Sequence, residues 1–546
     1  MGTRLGNFLI ITIAISALLG GFFGDRVTAG ATLEEDNKDL LKTFTSVFAM
    51  VQEKYATEIP SDTLMESAVR GMLRTLDPHS SFFSTRDYDR LQEEQKGKYY
   101  GLGISIRAES PGSGRVVVVE PPSPGTPAYK AGLRAGDVIA KIEGEPIDDW
   151  ELNTEVIPNL KGPRGTTFNI TVERPGEDEP LPFTVERDEI PMYTIKYVFR
   201  IRPTIGYVRI TRFAETTGEE LDEALKSLGE NDLDGLILDL RDNPGGALSQ
   251  ALEVSDRFLD RGQSIVSTRS RTGRDDRDYK ASRPQTIHYP MVVLINESSA
   301  SASEIVAGAL QDHDRALILG ETSFGKALVQ TIFPLEGSRG LALTTGKYYT
   351  PSERLIQRSY SESFWDYYNH RDEETSRDKD AYFTDGGRVV FGGGGITPDE
   401  EVKLERFSRP LRRVQRGNLF RLFASKVYSG NIEDAFMTEN PPEKIEALSL
   451  KDREKLADQF VLSDQLYTRF LDFAQESDVE LSADEIAANE VYFKNFLRQE
   501  LLLLLVGDEA SYKVALELDK QVQTAIDRIP LVENLLASSI GEAQRN

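Results

Sequence analysis

Met291-Val292-Val293-Leu294-Ile295-Asn296-Glu297-Ser298-Ser299-Ala300-Ser301-Ala302-Ser303-Glu304, running on through Ile305 to Gln311, decides the fold. Five consecutive apolar residues read as a strand buried on both faces, and the stretch from Ser303 to Gln311 reads as a helix. A serine-rich turn joins them. The same alternation continues on both sides, with strands expected at 206–210, 235–239 and 316–319 and helices at 218–227 and 247–259. Such alternation implies an α/β layer whose sheet is largely covered, with functional side chains on the loops at strand ends.

Further out the period changes. Residues 33–97 carry apolar positions three and four apart (Leu41, Phe44, Val47, Phe48, Val51, Tyr55) and are expected to form an N-terminal helical domain. Residues 98–190 hold short strands broken by Gly and Pro, at 103–106, 116–119, 136–142 and 168–172, and imply a small β module. The α/β core then spans 191–405. Within it, residues 358–395 are polar, spotted with aromatics and expected to be a long surface excursion. Residues 406–546 read as a helical C-terminal domain, in which Leu501 to Val506 is too short to span a membrane and should bury against neighbouring helices.

A hydroxyl at the strand-to-helix junction would stand beside unpaired N–H groups of the first helical turn, a setting that suits an oxyanion. The competing structural reading makes Ser301 a helix cap, forming a capping box with Glu304. Chemistry there needs a base. His79, His288, His313 and His370 are scattered without a triad context and read as structural or exposed. Lys326, in Gly320-Glu321-Thr322-Ser323-Phe324-Gly325-Lys326-Ala327, follows a strand among small residues, where it can approach Ser301. To work near neutral pH its pKa must fall from about 10.4 by roughly three units, about 4 kcal/mol against the charged form, which burial can supply. The same octad nearly spells a phosphate loop. Three features argue against that: Ala327 stands where magnesium needs Ser or Thr, Leu328 to Phe333 reads as strand, and the acidic strand ending at Asp239 precedes the loop.

The run Ser299 to Gln311, with Gly320 to Lys326 and Gln330 downstream, resembles the carboxyl-terminal processing peptidases, or tail-specific proteases, and the separation of Ser301 from Lys326 matches that family. Leu76-Asp77-Pro78-His79-Ser80, Tyr349-Thr350-Pro351 with Ile356-Gln357, and Gly395-Ile396-Thr397-Pro398-Asp399 also match its signatures. The resemblance implies a multidomain α/β (α+β) chain with a ClpP/crotonase-like protease core. It assigns Ser301 as nucleophile, Lys326 as general base and Gln330 as the residue orienting it. Asp239-Leu240-Arg241-Asp242-Asn243-Pro244-Gly245-Gly246 resembles the loop that joins the Ala302 N–H in the oxyanion hole, through Gly245 or Gly246. Gly101-Leu102-Gly103-Ile104 resembles the PDZ loop whose N–H groups hold a terminal carboxylate, with the next strand free to pair with a peptide, and Ala131 to Asp137 resembles a turn of protease-linked PDZ modules. There are departures: Glu353 replaces the usual Gly, the connection 358–394 is long, and Pro158 should kink or shorten the groove helix. The implied activity is a serine endopeptidase that cleaves exported proteins near their C-termini by a Ser–Lys dyad, with no metal or cofactor. The rival is a catalytically inactive PDZ scaffold that binds protein C-termini, against which intact Ser301, Lys326 and Gln330 count.

Bulk properties narrow the partners. With 39% hydrophobic residues the chain can bury several cores, and its charge of −25 repels nucleic acid. Arg269, Arg271, Arg274 and Arg277 alternate with acidic residues and read as a solvated loop. No cysteine is present, so disulfides and thiolate chemistry are excluded. Residues 1–29 hold Arg4, an apolar run from Phe8 to Phe23, Asp25-Arg26 and a small-residue Val27-Thr28-Ala29, the pattern of an export segment. It is a cleaved signal peptide or a retained anchor, with the catalytic part expected in the periplasm or on the extracytoplasmic face of a membrane, and a homo-oligomer remains open.

Overall fold

The computed structural model describes residues 35–534 apart from 109–114, 121, 124, 175, 230–231, 285–286, 361–366, 369–379, 405–406 and 458. The expected export segment at 1–29 lies outside the described residues, and no described helix is long and apolar enough to cross a membrane. The chain divides into two compact units, Met1–Asp77 and Pro78–Asn546.

The first unit carries the helices Glu35–Lys54 and Ser61–Leu73. The apolar stripe that predicts the longer helix is present, but Leu41, Phe44 and Val47 on it are exposed. The expected helical domain also ends earlier than residue 97. Ser81–Phe83 is a strand paired antiparallel with Arg339–Tyr349 of the second unit, so the segment after Pro78 belongs to the larger body.

That body is organised by a six-stranded sheet ordered Ile195–Arg202, Ile205–Ile210, Gly235–Asp239, Met291–Ile295, Leu317–Gly320, Glu400–Glu401. The first two strands form an antiparallel hairpin and the rest are parallel. Alternate residues of a strand point to opposite faces, and here both faces are apolar. Leu236, Leu238, Val293 and Ile295 share a core with Leu221, Val254, Val306 and Leu310 from helices Thr217–Leu228, Leu248–Asp256 and Ala302–Asp312. Tyr207, Ile237, Val292 and Leu294 meet Val522, Ala525, Ile526 and Ile529. The second cover therefore comes from the helix Lys520–Arg528 of the C-terminal region.

The rest of that region builds its own core, with Phe420, Phe423, Phe470, Phe493 and Leu501 among its buried residues. Leu501, Leu502 and Leu505 are buried, as their apolar run predicts.

The β module has a sheet ordered Ile106–Ala108, Val116–Val118, Val138–Ile142, Thr167–Glu173, Leu181–Glu186. Ile106–Ala108, the strand after Gly101-Leu102-Gly103-Ile104, lies at its edge. The expected shortening at Pro158 is visible: a single wide turn, Leu152–Val156, runs into a four-residue helix, Ile157–Leu160. Pairing of Lys98–Gly101 with Asp188–Pro191 closes the module at its base.

Candidate active site

The strand Met291–Ile295 is wholly buried and delivers the chain to Asn296, whose side-chain oxygen accepts the Asp242 N–H at 2.9 Å. From there the serines part company. Ser299 and Ser303 are buried, donating to the Leu240 carbonyl at 2.8 Å and the Asn243 carbonyl at 2.9 Å. They sew the turn to the neighbouring loop. Ser301 sits half-buried at the head of the helix Ala302–Asp312, with φ 55° and ψ −110°. A side chain with positive φ is strained, and strain of this kind persists where the surroundings hold it.

Glu304 does much of the holding. It is fully buried, and its Oε2 accepts the Ser301 N–H at 2.8 Å and the Lys326 N–H at 2.9 Å. One oxygen thus keeps those two nitrogens within two hydrogen-bond lengths of each other. The other oxygen, Oε1, accepts Ser323 Oγ at 2.6 Å and the Gly325 N–H at 2.6 Å. Tyr348 repeats the bridge on the carbonyl side, with its hydroxyl 2.7 Å from Lys326 O and 3.1 Å from Ser301 O. Burial raises the Glu304 carboxyl above its ordinary range, while the hydrogen bonds from Ser323, Lys326, Gly325 and Ser301 offset part of that effect.

The loop that carries Lys326 is fixed on both sides. Phe324 N–H donates to Ser299 O at 2.9 Å, and Ala327 N–H donates to Gln357 Oε1 at 2.7 Å. Lys326 itself is half-buried. Gln330 lies in the strand Leu328–Leu335, where its Nε2 donates to Thr344 Oγ1 at 3.2 Å.

The glycine loop presses against the serine turn. A Cβ on Gly245, at φ 97°, would lie 2.8 Å from Ala302 N and 2.9 Å from Ser301 Cβ. No larger residue fits. Gly245 N–H donates to Asn243 Oδ1 at 2.9 Å, while the neighbouring Gly246 is exposed. Beneath the loop, Asp239 is wholly buried and meets Arg241 Nε at 3.0 Å, Arg241 Nη2 at 2.6 Å and the Tyr207 hydroxyl at 2.6 Å.

The structure therefore brings Ser301, Ala302, Gly245 and the backbone of Lys326 together. Among the described histidines, His313 lies between Asp385 at 2.6 Å and the Ser264 carbonyl at 2.7 Å, and His79 bonds the Tyr367 hydroxyl at 2.8 Å, while His370 lies outside the described residues. Tyr367 corrects the expectation of a surface excursion at 358–395, because it is fully buried, with its ring edge-on to Phe324 at 5.2 Å. In the PDZ-like module, Gly103 has φ 77°, and Leu102 is buried with its carbonyl accepting the Ala128 N–H at 3.0 Å. Glu304 is visible in the sequence as a capping partner; nothing in the sequence shows its bond to Lys326.

Residues 204–361 match the family model described as peptidase family S41, 118–174 match a PDZ domain, and 24–86 match the N-terminal domain of the activating protease CtpB. A carboxy-terminal-processing protease of Bartonella bacilliformis is 44% identical over 59% of this chain and 74% of its own length. The carboxy-terminal processing protease CtpB of Bacillus subtilis is 31% identical over 61% of this chain and 68% of its own. Among solved structures, the photosystem II D1 C-terminal processing protease is 28% identical, covering 67% of this chain and 89% of its own, at a TM-score of 0.35, too loose a likeness to carry residue roles. With nearly half of its aligned residues shared across three-quarters of a processing protease, this PDZ-containing chain belongs to the carboxy-terminal processing proteases of peptidase family S41.

Proposed function

We propose that the chain is a serine endopeptidase in which Ser301 is the nucleophile and Lys326 the general base, cutting exported proteins near their C-termini. The observation that carries this reading is the shared Glu304 Oε2, which binds the Ser301 and Lys326 N–H groups at 2.8 and 2.9 Å. Lys326 takes the Ser301 hydroxyl proton as Oγ attacks the peptide carbonyl. The N–H groups of Ala302 and Gly246 stabilise the oxyanion, since the Gly245 N–H is given to Asn243. Lys326 returns the proton to the departing amine, and water then releases the acyl group. Gln330, four residues along from Lys326, orients it. The PDZ domain reads the substrate tail: N–H groups of Gly101-Leu102-Gly103-Ile104 take the terminal carboxylate, and the edge strand Ile106–Ala108 pairs with the peptide. The N-terminal pattern at 1–29 supports export and action on the extracytoplasmic side of a membrane.

The test uses an unstructured protein with an apolar C-terminus. Wild type should cut it, while Ser301→Ala and Lys326→Ala should each lose at least ~10³-fold in kcat with folding and tail binding retained. A variant that keeps wild-type turnover removes that residue from the mechanism. Tail binding without turnover in wild type would favour the PDZ scaffold.

A further inference from the structure

Arg241 is only 4% exposed, yet its acceptors come from two distant parts of the chain. Its Nε and Nη2 bind Asp239 at the end of the strand Gly235–Asp239. Its Nη1 donates to Asp519 Oδ2 and Gln521 Oε1, both at 2.8 Å. Those two residues open the helix that covers the far face of the protease sheet. Asp519 is that helix's N-cap, its Oδ1 accepting the Val522 N–H at 3.1 Å. Its two oxygens therefore do separate jobs, one on the helix and one on Arg241. Gln521 is fully buried, and its Nε2 is anchored on the Val402 carbonyl at 2.6 Å.

From Arg241 the chain runs through Asp242, Asn243 and Pro244 to Gly245, where an added Cβ would lie 2.8 Å from Ala302 N and 2.9 Å from Ser301 Cβ. The loop has little slack. The Asn243 carbonyl takes the Ala300 N–H at 3.0 Å, and the Asp242 side chain is tied to Asn296 at 2.8 Å. A buried guanidinium that loses acceptors must shift toward others or toward water, and a shift of its backbone passes directly into the glycine turn.

We propose that Asp519 and Gln521 are positioning residues for the oxyanion loop, so that the C-terminal segment is a working part of the catalytic core. This rests on the Ser301–Lys326 reading. Arg241 holds the base of the loop, and the C-terminal helix holds Arg241.

The experiment uses the full chain with Asp519→Asn, Gln521→Leu and the control Arg528→Gln. Asparagine has one side-chain oxygen where two are used. Arg528 binds Glu400 at 2.7 and 2.8 Å, fastening the same helix to the sheet edge without touching Arg241. Kinetics on the unstructured substrate, thermal midpoints and affinity for a peptide aldehyde, whose adduct needs the oxyanion hole, are measured for each. The expected result is a fall of about tenfold in kcat and in aldehyde affinity for Asp519→Asn and Gln521→Leu, with KM within twofold and tail-peptide binding unchanged. Arg528→Gln should lower the thermal midpoint and leave kcat in place. If the Asp519 and Gln521 variants turn over at the wild-type rate while Ser301→Ala is inactive, the positioning role falls and the dyad stands. Equal kcat losses in all three at matched midpoint losses would reduce the role to docking and overturn the proposal. If Asp519→Asn does not fold, Gln521→Leu decides alone. A Ser301→Ala protein that still cuts sinks both readings.

Discussion

Asp239 and Glu304 are both wholly buried carboxylates, each lying under one of the loops that meet at Ser301, and they are held by opposite means. Asp239 is held by charge. Burial alone would raise its pKa, but the Arg241 guanidinium, with Arg209 and the Tyr207 hydroxyl, brings it below the ordinary range. Four neutral donors reach Glu304, three of them backbone N–H groups, and burial prevails, leaving its pKa raised. The difference fits their positions. An ion pair makes a stiff anchor for a loop. A carboxylate held by N–H groups joins the Ser301 and Lys326 segments without adding a fixed cation beside them, as the proposed dyad would require.

The largest expected effect tests the anchor. Asp239→Ala leaves Arg241 buried with its main partner gone, and breaking a buried pair this way costs about 3–5 kcal/mol, read as a lower urea midpoint. Glu304→Gln should behave differently. The amide keeps one acceptor oxygen but turns an NH2 group toward N–H donors, so stability should fall by about 1–3 kcal/mol while kcat of the folded fraction falls by about 10²-fold. Equal stability losses, with normal turnover in the folded Glu304→Gln protein, would erase the distinction between anchor and bridge.

The two sites should also answer pH in opposite senses. A carboxyl with a lowered folded pKa contributes stability above its unfolded value of about 3.9, and this is lost as pH falls through the folded value. A carboxyl with a raised folded pKa contributes most below its unfolded value of about 4.3, and this is lost as pH rises through the folded value. The stability advantage of wild type over Glu304→Gln should therefore grow as the pH is lowered from 7 to 4. Its advantage over Asp239→Asn should stay level over that range and shrink below it. Urea titrations of the three proteins across pH 3–7 give both slopes, and parallel slopes would contradict the assignment of opposite environments.

The same contrast marks what the sequence made legible. Strands and helices of the protease core were readable because their signal is local: Met291–Ile295 and Gly235–Asp239 are continuous apolar runs, and both are buried at every position. Ser301 stands out by its place between a strand and a helix, and Glu304 by capping-box spacing. The second half of Glu304's role joins residues 22 apart, and the Arg241 partners lie 278 and 280 positions away. No local pattern encodes such distances. For the same reason residues 406–546 read as one helical domain. An amphipathic helix shows that it has a partner without saying which, and Val522 and Ile526 look no different in sequence whether they face Phe470's core or the back of the protease sheet. Tyr367, one buried aromatic in a polar stretch, has no periodicity to announce it.

The smallest effect asks whether Glu304 bridges alone. Tyr348 is buried, and its hydroxyl lies between the Lys326 and Ser301 carbonyls. Tyr348→Phe removes only that oxygen, so about 1 kcal/mol of stability and a few-fold of kcat should go. The pair with Glu304→Gln is more informative. If the carboxylate and the hydroxyl hold the same two segments, losing either loosens the target of the other, and the double variant should lose less activity than the product of the single losses. Independent losses would mean that the hydroxyl merely satisfies two carbonyls and shares none of the load that Glu304 carries between the Ser301 turn and the Lys326 loop.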